Sequence, residues 1–536
     1  MAEFNLIDEP WIPCIDPHGQ LVEYGIRDTL LKAHELREIC DDSPLVTAAL
    51  HRLLLAMLYR AHDGPSDTAM WLALYERGRF EQHHRIGDYL KKWRTRFYLF
   101  DDRHPFMQVA GLDLNDYKKG GTAKKDKSDG LMRLAKEAPD KGGRVLFDHR
   151  MGTERPEYES KQIAKMILST QSYAGTGVAS AGRVGDQVIE PTACRFAPCV
   201  DGFVLWLQGD NLFQTLMLSL VPQKLSPKDL PAWEDSNIVS SAIRSWNCAL
   251  SFTGPMQRYA PLSRFIRVVD HRSVFFTNGL KTTADSDDPM KAYYRESDAR
   301  PYEAKKLLEH KAAWRDAHTL FAVGMANHKP PMSFDFAARL KSDGVIHPGA
   351  EFKATVLGLA TRIDKGLFWR HERMPVPAAL LADVNLIERL GGLLRDAEQV
   401  ASDLNFRTRR TAKLYLAPHA EEPGGRKPDD KEVANLASKI DPRPAYWARL
   451  EKHFLALLEN IPTDWDTASN DWKPDDQQAA TNAWREYVKG EARRALEESI
   501  RSLGTTARAI QAVARVRTEF NNGDLMPQPQ KAAKAR

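Results

Sequence analysis

Two patterns in this 536-residue chain have the residue types and spacing to meet a polyanion. The first is a glycine cluster, Gly175, Gly177, Gly182 and Gly185, flanked by Tyr173 and Arg183. Backbone without Cβ atoms can come close to another backbone, so such a loop can line a nucleic-acid groove; it can equally be a structural Ω-loop. The second is Arg494, Arg501, Arg508 and Arg515, which recur every seven residues. On a straight helix that step returns to nearly the same face, short by about 20° per heptad. Gly504 interrupts the run, which puts Arg494 and Arg501 on one helix and Arg508 and Arg515 on the next, as stripes that could track phosphates. Arg494 and Arg501 also have Glu497 and Glu498 at pairing distance. Arg508 and Arg515 do not, because 507–516 contains no acid. A third basic stretch, Lys118 to Lys127, lies in a long segment without apolar period and has the character of a sequence-independent phosphate attractor.

Catalytic patterns are missing. There is no Walker loop, Gly-x-Ser-x-Gly elbow, His-Glu-x-x-His helix or kinase signature, and the spacing of Gly175 to Gly182 is wrong for a dinucleotide fingerprint. His83 and His84 are adjacent and so point to different sides of any regular element, with no carboxylate or cysteine at ligand spacing. Asp101-Asp102 and Asp287-Asp288 stand in turn-like contexts, where aspartate caps backbone. The five cysteines form no Cys-x-x-Cys pair. No metal or cofactor is expected, and the chain reads as a binding protein rather than an enzyme.

These residues need a frame. Trp11 to Ile15 and Gln20 to Tyr24, separated by Asp16-Pro17-His18-Gly19, read as a hairpin. Helical spacing follows in 45–59, 68–75 and 86–97; order returns at 163–168, and 212–220 reads as a helix. Runs at 203–207, 265–269 and 274–276 read as strands. Beyond Pro375 and Pro377 the composition changes to Ala/Leu/Arg/Glu-rich segments at 378–416, 433–440, 446–461, 477–503 and 505–520, a bundle of about four helices. The expected architecture is therefore α+β: a mixed α/β domain over 1–375, a four-helix bundle over 376–520 and a disordered tail over 521–536. Lys and Arg total 76 against 72 Asp and Glu, a net +4. From Arg485 onward the balance is 11 against 6, so that the C-terminal stretch alone holds +5. No apolar run reaches membrane-spanning length, since 45–59 contains His51 and Arg52, and a cytoplasmic location is expected.

Several strings, in order along nearly the whole chain, carry a family resemblance. They are Phe4-Asn5-Leu6-Ile7-Asp8-Glu9-Pro10-Trp11-Ile12-Pro13, His104-Pro105-Phe106-Met107-Gln108, Gly209-Asp210-Asn211-Leu212-Phe213-Gln214-Thr215-Leu216 ahead of Val221-Pro222, and Glu451-Lys452-His453-Phe454 in the C-terminal helices. The chain resembles the CasA family, the large subunits of the type I-E CRISPR surveillance complex Cascade. The resemblance implies an α/β domain of unusual topology, a C-terminal four-helix bundle, and no catalysis. It implies that the protein reads a protospacer-adjacent motif (PAM) in double-stranded target DNA from the minor-groove side, opens the duplex, and presents the displaced strand to a recruited helicase-nuclease. Sequence is read by the guide RNA. The implied partners are the target duplex and displaced strand, the crRNA 5′ end, the backbone and small subunits of Cascade, and the helicase-nuclease.

Carried over by position, the resemblance implies a loop over about Asp148 to Ser160, with Phe147 and His149 at its base, that touches the motif and the crRNA end. The minor-groove glycine loop falls on Gly175 to Ala179, with Gly175, Gly177 and Ala179 as its contact points. Arg272 becomes the basic residue inserted toward the groove, and Arg362-Ile363-Asp364-Lys365-Gly366 the duplex-opening wedge, with Arg362, Lys365 and Gly366 as its residues. Lys365 stands where the best-known members have Gln, and the glycine loop has fewer glycines. A wedge acts sterically, against a cost of a few kcal/mol per unstacked step, so a lysine suits it too. A non-catalytic scaffold and an unrecognised nuclease are the alternative readings.

Overall fold

The computed structural model describes residues 4–81, 85–115, 127–135, 155–177, 180–200, 202–347, 349–362, 365–381, 383–419, 424–425, 427–466, 471–472 and 474–522. They fall into two compact units, Met1–Ala313 with Thr319–Met374, and Trp314–His318 with Pro375–Arg536.

The first unit opens on the hairpin read from the sequence: β1 (Ile12–Ile15) and β2 (Leu21–Tyr24) pair antiparallel with Ile12 opposite Tyr24. Asp16 makes the turn, its Oδ1 accepting from the amides of His18 (2.9 Å) and Gln20 (2.8 Å). Next comes α1 (Pro44–His62), started by Ser43, whose hydroxyl accepts from the Val46 amide, and by a proline at its first turn. This helix is so apolar that it is buried nearly all round. Its one fully buried cation, Arg52, is matched by Asp288, with bonds of 3.0 and 2.8 Å, and by the Arg258 carbonyl at 2.6 Å. Asp288 is thus a buried counterion 236 residues away, beyond the backbone capping expected for it, whereas Asp101 does cap the amides of Arg103 and His104. Among the described residues no helix is long and apolar enough to cross a membrane. Against α1 lies α2 (Ser160–Tyr173), closed at its start by a capping box between Glu159 and Gln162. The strand β3 (Val204–Gln208) follows, then α3 (Leu212–Ser219), capped by Asn211.

Among the described residues the second unit is mainly helical, with a short pairing of Trp465–Asp466 with Asp471–Trp472. It contains α4 (Val384–Leu416), α5 (Asp430–Lys439), α6 (Arg443–Asp464), α7 (Pro474–Arg501) and α8 (Ala507–Asn522). The 33-residue α4 touches each of the other four, and its buried Leu386, Leu390, Leu393, Ala397, Val400 and Leu404 recur at helical spacing. Two aromatic side chains bond to its backbone: Tyr446 Oη donates to the Ala397 carbonyl (2.9 Å) and Trp484 Nε1 to that of Leu393 (3.0 Å). Trp314 belongs to this unit, its ring 4.9 Å from that of Phe454 and 5.8 Å from that of Trp447. A composition boundary at 375 does not reveal that contribution from upstream.

Candidate nucleic-acid interface

The glycine cluster is held by a hairpin of β4 (Arg264–Val268) and β5 (Ser273–Asn278). The alternation of Phe265, Ile266, Val268, Val274 and Phe275 suits a strand pair packed on both faces, and all five are buried. At its open end Arg264 stands opposite Asn278, and this cross-strand pair reaches out to the glycine loop. The Arg264 guanidinium is 1% exposed. It donates to the carbonyls of Ser263 (2.6 Å), Arg195 (3.2 Å), Ala174 (3.4 Å) and Gly175. Burial, with Arg133 adding repulsion, brings its pKa down to about 10. Asn278 Nδ2 donates to the carbonyls of Gly177 (3.3 Å) and Thr192 (2.9 Å), and Thr277 Oγ1 to that of Ser180 (2.7 Å). Three side chains therefore hold the loop by its carbonyl oxygens.

The same end is locked from behind by Gln171 of α2, which is fully buried, accepts from the Arg264 amide (2.9 Å) and donates to the carbonyls of Arg264 (2.8 Å) and Met107 (3.0 Å). Gln108 accepts from the Val268 amide (2.8 Å) and donates to the Leu99 carbonyl (2.8 Å). The string around Phe106 is thus a brace for β4.

The glycines divide by task. At Gly182 a Cβ would lie 2.6 Å from the Asp113 carbonyl oxygen, and Gly185 has φ +57° in a tight turn. Both serve the protein's own backbone. Gly175 and Gly177 are half-buried, between the clamped carbonyls. Ala179 lies outside the described residues.

At its other end the hairpin turns through 269–272, where Asp270 Oδ1 accepts from the Arg272 amide (2.8 Å). His271 binds the Tyr158 backbone twice: its carbonyl accepts from the Tyr158 amide (3.0 Å) and its Nδ1 lies 2.8 Å from the Tyr158 oxygen. Arg155 donates to Ser128 Oγ (2.8 Å) and Ser273 Oγ (3.3 Å). The far end of the loop expected over about 148–160 is pinned here; Phe147 and His149 lie outside the described residues, as do His83, His84 and most of the Lys118–Lys127 run. Arg272 pairs with Glu157 at 2.8 Å, the side chains being 57% and 61% exposed. Such a surface pair contributes about 0–1 kcal/mol, so a phosphate can displace the carboxylate at little cost. Six residues of strand separate Arg272 from Asn278, roughly 20 Å of reach along one rigid element.

The residues expected to form the wedge lie on a second hairpin, which the sequence reading missed as strands. β6 (Glu351–Arg362) and β7 (Lys365–Pro377) form a three-stranded sheet with β3 in the order β7-β6-β3. Of β6, residues 353–357 pair with β3. Beyond Leu357 the two long strands continue as a ribbon for five further residues of β6, about 17 Å at strand rise. Arg362 is the last residue of β6, and Lys365 and Gly366 are the first two of β7.

In the second unit the arginines occupy two helices as expected, Arg494 and Arg501 on α7 and Arg508 and Arg515 on α8, with the chain turning at Gly504 (φ +78°). Their partners differ from the sequence expectation. Arg494 pairs with Glu491 (2.9 Å), a carboxylate only 6% exposed. Glu498 pairs with Arg449 of α6, and Glu497 with Arg517. The side chains of Arg501 and Arg508 are exposed and have no hydrogen-bond or ion-pair partner among the described residues, whereas Arg515, also exposed, is not without one.

Comparison with known proteins places this geometry among CRISPR-associated proteins. The family model for CRISPR-associated protein Cse1 matches residues 5–495. A CRISPR-associated protein CasA/Cse1 from Thermus thermophilus is 30% identical over 528 residues, 97% of each chain. A crystal structure of CasA from Thermus thermophilus superposes with a TM-score of 0.76 at 28% identity, covering 97% of this chain and 99% of that one. A chain of a CRISPR RNA-guided surveillance complex shares the fold, with a TM-score of 0.69 at 17% identity over 97% of this chain and 100% of that one.

Proposed function

Because the chain belongs to the CasA/Cse1 family of CRISPR-associated proteins, we propose that it is the DNA-recognition subunit of an RNA-guided surveillance complex and has no catalytic step of its own. In this reading the loop at Gly175 to Ala179 and Arg272 meet the duplex beside the protospacer from the minor-groove side and read the PAM. The ribbon tip at Arg362, Lys365 and Gly366 parts the base pairs so that the guide RNA can form its R-loop. Arginines of the helical second unit receive the displaced strand, which is offered to a helicase-nuclease. Phe147 and His149, at the base of their loop, meet the crRNA 5′ end, and the backbone and small subunits of the complex hold the protein in place.

The observation that carries the reading is the β4–β5 hairpin. One rigid element fixes the glycine loop at one end and a displaceable arginine at the other, roughly 20 Å apart, about six base-pair steps of duplex at 3.4 Å each. Its test is a gel shift with the assembled complex, guide RNA and duplexes that differ only beside the protospacer. Affinity that changes with those flanking pairs is the expected result. Equal affinity for all flanks leaves a scaffold role instead, and metal-dependent cleavage by the isolated chain points to a nuclease.

A further inference from the structure

The C-terminal turn of α1 borders a cavity that the duplex reading leaves unused. It holds about 310 Å³, at the low end of small-molecule sites. Met70, Ala73 and Leu74, from the helix Thr68–Tyr75, and the buried Phe80 give it an apolar floor. Among the described residues, Arg77, Arg79 and Arg85 face it with a single carboxylate, Glu81, which pairs with Arg77 at 3.2 Å. Three described cations against one anion leave a surplus of two.

His62 closes the cavity. It is 6% exposed, and neither ring nitrogen has a hydrogen-bond partner among the described residues. Burial first, then the Arg85 and Arg77 guanidiniums, push its pKa down to about 4, so at neutral pH it offers one N–H and one lone pair. Arg85 donates to the His62 carbonyl, which fixes that guanidinium beside the ring. Arg79 is exposed and has no partner among the described residues. A buried imidazole with both nitrogens unmet is a cost to the fold, and unmet polar groups beside convergent cations are the mark of a site awaiting an anion.

We propose that this cavity binds a nucleoside phosphate, with the phosphoryl group on Arg79, Arg85 and His62 and the base on the apolar floor. One guanidinium satisfies a carboxylate bidentately, whereas convergent guanidiniums suit the three oxygens of a phosphoryl group. The floor beside them accepts a flat apolar face, and the volume admits one nucleotide unit. The nucleotide comes either free or as the phosphorylated end of a strand. None of these residues belongs to the hairpin that holds the glycine loop, so the site stands apart from the duplex reading.

The test is calorimetric titration of the full chain with AMP, inorganic phosphate, adenosine and a 5′-phosphorylated hexanucleotide, with the His62 ring resonances followed by NMR. AMP should bind at least tenfold more tightly than phosphate or adenosine and shift the His62 signals. Arg79→Glu, and more mildly Arg79→Ala, should weaken AMP at least tenfold and threefold respectively with an unchanged melting temperature, because the side chain is exposed and unpaired. Tighter binding of the hexanucleotide than of AMP assigns the site to a strand end, and the reverse order to a free nucleotide. Absence of binding by both, equal affinity for AMP and phosphate, or AMP binding untouched by Arg79→Glu overturns the proposal. Duplex binding by the assembled complex should survive Arg79→Glu, which keeps failure here distinct from failure of the duplex reading.

Discussion

Replacing Arg264 with Met tests whether the guanidinium serves the core or the loop. Four carbonyls lose a donor, but two keep another: Ser263 O also accepts from the Gly279 amide (3.1 Å), and Ala174 O from the Ala197 amide (2.9 Å). Only the carbonyls of Gly175 and Arg195 lose the one donor identified for them, and each lies near enough to solvent to place the loss at the low end of about 1–3 kcal/mol. Against that total of about 2 kcal/mol stands the relief of a buried charge. A pKa brought well below the ordinary arginine range, to about 10, corresponds to about 3 kcal/mol at about 1.4 kcal/mol per unit. For a base with a depressed pKa the penalty is fully present below pH 10 and lifts only above it, so an assay at pH 7 sees all of it. The opposing effects nearly cancel, and the urea midpoint should move by no more than about 2 kcal/mol. The loop, by contrast, loses its main anchor. Amide exchange over 174–177 should accelerate at least tenfold, and complexes with this variant should bind duplex at least tenfold more weakly, with less than a threefold loss on a target already unpaired beside the protospacer. A stability loss above 4 kcal/mol with unchanged loop exchange would refute the reasoning, and equal losses on both targets would remove the loop from duplex recognition.

Lys365→Ala combined with Gly366→Asp should slow duplex opening, read with a fluorescent base analogue, while initial motif binding stays within about twofold; unchanged opening moves the wedge elsewhere. Arg501→Ala with Arg508→Ala should make the slope of log K against log salt shallower by about 1.4, two contacts at about 0.7 each for a single strand, with the flanking preference unchanged; an unaltered slope assigns these arginines to solvent or a protein neighbour. Arg494 is left in place because it neutralises the buried Glu491. Arg52→Met should cost about 3–5 kcal/mol in urea unfolding, because it strands the buried Asp288, and adding Asp288→Leu should recover most of that; a double variant as unstable as the single one shows that packing, not charge, holds α1.

The elements that the sequence announced are those with a local signal. Thr68–Tyr75 and the β1–β2 hairpin carry their own period and turn residues, and the Ala/Leu/Arg/Glu segments after Pro377 become helices close to their expected bounds. The β6–β7 ribbon was passed over although Glu351-Phe352-Lys353-Ala354-Thr355-Val356 alternates polar and apolar residues, because Leu357-Gly358-Leu359 breaks the alternation and Pro375 and Pro377 argue against a strand; here they stand at its end. The pairing of Arg494 failed for a different reason. Carboxylates at Glu491, Glu497 and Glu498 are all within helical reach, and such pairs differ by only a few tenths of a kcal/mol. The choice falls to what other elements bring, and Arg449 of α6 brings a partner for Glu498.

The candidate site follows the same division, which bears on how it can work. The sequence shows glycines, which permit close approach, but the side chains that fix them lie 89 and 101 positions away and look unremarkable in a string: an arginine beginning a strand and an asparagine ending the next, braced by a glutamine inside a helix 93 positions from that arginine. Each bonds to backbone, so each needs only a donor or acceptor at one point in space, a requirement without a period. The hairpin thereby separates two kinds of contact. Around Gly175 and Gly177 the bonds are made by the buried side chains of Arg264 and Asn278, and they hold the loop before any ligand arrives. At Arg272 the bond is to an exposed carboxylate, nearly neutral in energy, and is free to be exchanged. A surface that must first fit a groove by shape and then take hold of a phosphate needs its stiffness and its exchangeable charge in that arrangement.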